Sequence, residues 1–169
     1  MHAIQRLLLV LIVVAVSSCA IHTHALRGQF DKRLERLQKE RDKLNRQTDP
    51  VDRTKTGINI SEILLSLASD AIKGGEPEAL GKRLNEYVDT IREAHQTMMG
   101  SGRDAHRKPK GFKDLEIALR RQIRMLDDMA RTVTFDHRDP VEKAKQEASD
   151  IREDVFKALF GEQNAPRKG

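Results

Sequence analysis

The chain has 169 residues, enough for one domain behind a leader, and 34% of them are charged. Lys and Arg number 31 against 26 Asp and Glu, a formal net charge of +5 that weakly favours anionic partners. Cys19 is the only cysteine, which excludes an internal disulfide, a cysteine-based zinc cluster and haem attachment through Cys-x-x-Cys-His.

Residues 1–20 carry the three parts of a secretory signal. Arg6 and the terminal amine make the positive end, and Leu7 to Val16 is an unbroken run of ten apolar residues. Ten is a signal-peptide length, well short of the roughly 20 needed to span a membrane. Small residues come next, and Val16-Ser17-Ser18-Cys19 resembles the bacterial lipobox, in which an aliphatic and two small residues precede a cysteine. That resemblance covers the leader alone. It implies lipidation of Cys19, which becomes the mature N-terminus, and Ala20 after it implies sorting to the outer membrane in a cell with two membranes. Competing readings are ordinary cleavage after Ala20 or Ala25, giving a soluble secreted chain, and an uncleaved anchor. The expected organisation is a lipoprotein-type signal peptide over 1–18, a tether over 19–25, a helical bundle over 26–161 and a flexible tail over 162–169. The expected location is the bacterial cell envelope, lipid-anchored and facing the periplasm. His22 and His24 in the tether are read as linker rather than as a loose metal site.

From 26 to 47 the pattern is helical and strongly charged. Phe30, Leu34, Leu37 and Leu44 form a thin seam in which Arg41 takes an apolar slot. Glu35–Lys39 and Asp42–Arg46 stand four apart in the favourable order. Two heptads are too few for a coiled coil, so an ordinary bundle helix with a polar face is expected. Asp49-Pro50 then supplies a cap and a first-turn proline, but Gly57 and Asn59 lead us to expect a regular helix only from about Ile58. Its apolar face is Ile60, Ile63, Leu64, Leu67, Ala71 and Ile72, ended by Gly74-Gly75.

Pro77 opens the next helix, whose stripe is Leu80, Leu84, Tyr87, Ile91, Ala94 and Met98, ended by Gly100-Ser101-Gly102. Residues 103–113 form the longest break, with five Lys or Arg against one Asp; Pro109 and Gly111 argue against a continuous helix there. Two amphipathic helices close the chain over 113–160. The first carries Leu115, Leu119, Ile123, Leu126, Met129 and Val133; the second carries Val141, Ala144, Ala148, Ile151, Val155 and Leu159. Between them lies a turn over 134–139, with Asp139 and Glu142 placed as a capping box and Gly161 as the stop. The expected fold is all-α: an antiparallel bundle of about four main helices plus a polar N-terminal helix.

Motifs for chemistry are missing. The Glu-x-x-His pairs of di-iron bundles, His-Glu-x-x-His, Gly-x-Ser-x-Gly and the P-loop do not occur. No enzyme, cofactor or resident metal is expected. His95, Met98, Met99 and His106 are the residues that a copper reading would use, but Met98 continues an apolar stripe and Met commonly fills gaps. Arg103, Arg107, Lys108, Lys110 and Lys113 make the best candidate contact surface, for lipid phosphates or an acidic protein. Arg120, Arg121 and Arg124 extend it unless acids pair with them. Only Phe112 is interleaved with those charges, so nucleic acid is not expected; the plain alternative is a solvated loop. The functional expectation is a non-enzymatic envelope-tethered module for protein–protein contact or structural support, joined to the membrane through Cys19. The alternative is a periplasmic ligand- or metal-binding sensor or chaperone using a groove between helices. Partner identity and oligomeric state are not written in the sequence.

Overall fold

A computed structural model describes residues 28–161; Cys19, the expected signal peptide and tether, and the tail over 162–169 lie outside the described residues. Among the described residues the fold is all-α, with no strand. The helices are α1 (28–46), α2 (Pro50–Gly74), α3 (Pro77–Met99), α4 (Lys110–Thr132) and α5 (Arg138–Phe160), with a 3₁₀ turn at Phe135–His137 leading into α5. Contacts divide the chain inside α1, after Arg36; residues 37–161 belong to a unit with its own core. No helix among the described residues is long and apolar enough to cross a membrane.

In that unit α2 packs most extensively on α3, and α4 on α5. Contacts of α2 with α4 and of α3 with α5 join the two pairs, while α3 and α4 touch little. The four helices therefore sit at the corners of a square, with α3 and α4 on a diagonal. The stripes expected for α3 and α5 are buried at every position. On α2 the face Ile60, Ile63, Leu64, Leu67 and Ala71 is buried together with Leu65 and Ala68.

The starts of α2 and α5 differ from the sequence reading. Helix α2 begins at Pro50 and runs unbroken through Gly57 and Asn59. The Asp49 carboxylate accepts from the Val51 and Asp52 N–H groups at 2.9 and 3.0 Å, so the start is capped where the capping chemistry stands. Gly57 is a close-approach residue rather than a breaker: a Cβ there would lie 3.3 Å from the Ala94 Cβ on α3. Helix α5 starts at Arg138, with no side-chain cap, so Asp139 lies inside it and not at its cap. The 3₁₀ turn delivers the chain already coiled, and Pro140 is tolerated because first-turn N–H groups lack intrahelical partners. Glu142 reaches forward to Lys145 at 2.7 Å instead of back to a cap.

The part of α1 that belongs to this unit, from Leu37 on, is held by a thin apolar contact and polar bonds. Leu37 is buried, and Arg41, in the expected apolar slot, meets Glu86 on α3 at 3.2 Å. Arg53 of α2 donates to the Leu44 and Gln47 carbonyls, both at 3.0 Å, and to Glu93 on α3 at 2.5 Å. One guanidinium thus bonds two carbonyls at the end of α1, of which Leu44's also takes the Gln47 N–H at 3.2 Å, and fixes that end against two helices. Asp42 takes Gln38 as its helical partner at 2.9 Å, rather than Arg46.

Candidate contact surfaces

The basic connection is shorter than the sequence suggested, because α4 already begins at Lys110. Pro109 precedes that start in a helical conformation, and Gly111 and Phe112 are buried. Gly111 lets α4 come close to α3: a Cβ there would lie 2.5 Å from the Met98 Sδ, so the end of that side chain would have to shift. The preceding loop is shaped by Gly102 at φ 68° and by Asp104, whose carboxylate accepts from the His106 and Arg107 N–H groups at 2.8 and 3.2 Å. Its charges then separate. Arg103 turns toward Asp49 at 3.6 Å, and Arg107 stays by Asp104 at 3.6 Å while remaining 87% exposed. Lys108, Lys110 and Lys113 are exposed. Two of these lysines stand in the first turn of α4, which holds no acid. Cations at a helix N-terminus oppose the macrodipole, at about 0.3–1 kcal/mol each. The patch does not spread along α4 through Arg120 and Arg121, which pair with Glu116 and Glu62.

The four residues of the copper reading are dispersed. Met98 is fully buried over Gly111, Met99 is exposed and His106 lies exposed on the loop. His95 sits half-buried between α3 and α5, its Nε2 4.0 Å from Asp154 Oδ2. Burial holds its pKa below the ordinary histidine value, with Asp154 and Glu147 pulling it back up. Among the described residues no group of three or more His, Cys, Asp or Glu is placed to hold a metal ion.

The sequence reading missed the polar interior. Gln122 of α4 is buried, its Nε2 donating to Ser61 Oγ of α2 at 2.7 Å and its Oε1 accepting from the Tyr87 hydroxyl of α3 at 3.2 Å. The Ser61 hydroxyl in turn donates to the Ile58 carbonyl at 2.8 Å. Burial pushes the Tyr87 hydroxyl far above its usual pKa, so it stays a donor. A second buried group, Glu116 of α4, receives Arg120 from its own helix and Arg152 from α5 at 2.7 and 2.9 Å. The signal for Gln122 is a strict alternation of steps: 115, 119, 122, 126 run four, three, four, whereas passing through 123 needs two steps of four in a row. Ile123 is only half-buried.

Concavities mark the surface between helices. A groove of about 750 Å³ runs between α3 and α5, floored by Leu84, Val88 and Ala144 and rimmed by Asn85, Asp89 and Lys143. Arg92 and Glu147 close one side of it with a 2.6 Å ion pair. Two smaller hollows, each about 270 Å³, share Ile72 and Thr132 where α2 and α4 approach the 3₁₀ turn. Phe135 in that turn is 81% exposed.

Compared with known protein families, curated proteins and solved structures, the chain matches none.

Proposed function

We propose that this chain is a non-enzymatic, exported helical lipoprotein, held in the bacterial cell envelope by lipid on Cys19 and facing the periplasm, and that its bundle serves protein–protein contact or structural support. The leader supports the export and the anchor, through the apolar run and the lipobox-like Val16-Ser17-Ser18-Cys19. The observation that carries the contact reading is where the polar groups go. In the interior, Ser61, Tyr87, Gln122 and Glu116 bond one helix to another. What faces outward is binding material: Lys108, Lys110 and Lys113 beside an N-terminal helix dipole, and the exposed Phe135 and Ile117. The two-residue link from α2 to α3 and the short link from α4 to α5 support an antiparallel arrangement of the main helices.

The test separates a covalent anchor from electrostatic adhesion. Membranes carrying wild-type chain and the Cys19→Ala variant are washed in high salt, which screens the lysines but leaves acyl chains inserted. Wild type stays in the membrane fraction and the variant moves to the soluble fraction. A variant that survives the wash in the membrane removes the lipid from the account.

A second reading, a ligand-binding sensor or chaperone, draws on the α3–α5 groove. Its apolar floor and mixed rim suit a small amphipathic molecule, and its volume falls in the range of ligand pockets.

A further inference from the structure

We propose that the α4–α5 edge, at the end of the bundle where α4 begins, docks on an anionic lipid surface, with Lys110 and Lys113 at the headgroups and Ile117 and Phe160 entering beneath them. The inference deepens the contact reading above, since it rests on the same exposed lysines, and does not depend on the lipid anchor.

Bonds between the two helices set which side chains share this edge. Lys145 of α5 meets Asp127 of α4 at 3.4 Å, and Arg152 of α5 meets Glu116 of α4 at 2.9 Å. Going back along α4 is therefore going forward along α5. One turn beyond the Glu116–Arg152 pair, Lys113 comes level with Phe156, and one turn further residues 108–110 come level with Phe160. Residues three and four apart share a helix face. Phe156 and Phe160 thus continue the edge of α5 that Arg152 turns to α4, with their ring centroids 4.7 Å apart. Lys113 continues the edge of α4 that Glu116 turns to α5, with Ile117 next to it. Ile117 is 60% exposed and Phe160 46%, so apolar side chains stand in water beside the lysines.

The unbalanced charge on this edge is positive. Lys108, Lys110 and Lys113 have no acidic partner among the described residues, whereas the acids nearby are engaged or face elsewhere. Glu116 is buried and holds both Arg120 and Arg152, Glu153 pairs with Lys157 at 3.0 Å, and Asp104 takes Arg107. Asp154 turns to His95 of α3, and Asp114 stands seven residues before Arg121, on the face of α4 that meets Glu62 of α2. Asp52 belongs to α2, which lies diagonal to α5 across the bundle.

The kind of charge favours a lipid surface over an acidic protein. Arginine's planar fork selects a fixed carboxylate geometry, whereas lysine is a point charge on a flexible stem. At this end Arg103, Arg107, Arg120 and Arg152 each meet an acid of their own chain, and the outward charge is left to lysines. A lysine stem can lie along an apolar layer while its ammonium reaches a phosphate, which matches headgroups above acyl chains. None of the hollows described above is lined by these residues, which suits a flat partner.

The chain contains no Trp, so one introduced Trp reports on one place. Full-length chains carrying Cys19→Ala with either Phe160→Trp or Phe135→Trp are titrated with vesicles of phosphatidylcholine, alone or mixed with an equal share of phosphatidylglycerol. Emission from position 160 should move to the blue, and be quenched by lipids brominated in the acyl chain, on the mixed vesicles only. Position 135, at the far end of α4, should not respond. Lys110→Gln and Lys113→Gln should each raise the anionic lipid needed for half the shift about fivefold, and added salt should reverse the shift. No shift on the mixed vesicles, an equal shift on phosphatidylcholine alone, or an equal response at position 135 overturns the docking. Indifference to both lysine changes overturns the role of charge. A shift caused by polyglutamate and not by vesicles gives the surface to an acidic protein and overturns the lipid. These chains lack Cys19, so the result is separate from the salt wash that tests the anchor.

Discussion

Replacing Tyr87 by Phe removes one oxygen from the centre of the bundle. The ring keeps its packing, but Gln122 Oε1 loses a donor that stood at 3.2 Å in a fully buried site. A stranded buried acceptor costs about 1–3 kcal/mol. Gln122→Leu is the mirror change: Ser61 retains its bond to the Ile58 carbonyl, while the Tyr87 hydroxyl is left without a partner. It should cost a similar ~1–3 kcal/mol. The double variant strands neither group and exchanges a polar contact for an apolar one of like shape. It should therefore be more stable than the two losses summed, with a coupling on the order of 1–2 kcal/mol. Urea unfolding followed by far-ultraviolet circular dichroism suits a helical domain in a chain without Trp, and unchanged m-values would confirm that only stability moved. If the double variant costs the full sum of the singles, Tyr87 and Gln122 do not act as a pair and the polar centre is wrongly described.

Other residues give equally specific expectations. Gly81→Ala should stabilise the chain by about 0.5–1 kcal/mol, because helix propensity improves and nothing stands within 4 Å of the new Cβ. Gly57→Ala should show no such gain, since its Cβ meets Ala94 at 3.3 Å; equal melting shifts would refute the close approach of α2 and α3. Arg53→Ala should speed amide exchange along residues 37–46 while the interior of α4 stays protected; uniform loss of protection would mean that Arg53 holds more than α1. His95 titrates below its ordinary 6.5 in the folded chain, so the folded state takes up this proton later than the unfolded one. Its stability contribution is whole above 6.5 and declines as pH falls from 6.5 toward the depressed value. Wild type should lose stability relative to His95→Gln across that window, and parallel pH profiles would exclude it.

How much of the fold is legible in the sequence depends on which physical signal governs each stretch. Helices α3 and α5 are readable because burial alone sets their stripes: Leu80 to Met98 and Val141 to Leu159 are buried at each expected position. Helix α2 reads eight residues short, since Gly57 signals a break in one chain but permits contact with Ala94 in the folded one. The cap expected at Asp139 fails because a preceding 3₁₀ turn has already started the coil, which no local capping pattern reveals. Hydrophobicity points to Ile123 over Gln122, although the spacing favours Gln122; the bonds that make its burial tolerable come from helices 35 and 61 residues away. In the basic stretch the composition is visible but not the division of roles. Arg103 turns back to Asp49 across the bundle's end, while Lys108, Lys110 and Lys113 stay outside. Phe135 can be placed in a turn from sequence, yet its exposure depends on the rotation of that turn against Thr134 and His137.

A lipid-tethered contact module stands or falls on Cys19. The intact mass of the mature protein, purified from the membrane fraction, tests it without intermediaries. The expected value is the mass of residues 19–169 plus diacylglyceryl and acyl groups. An unlipidated mass corresponding to residues 21–169 or 26–169 would rule out the tether, leaving a soluble secreted bundle whose α3–α5 groove becomes the first place to look for a ligand.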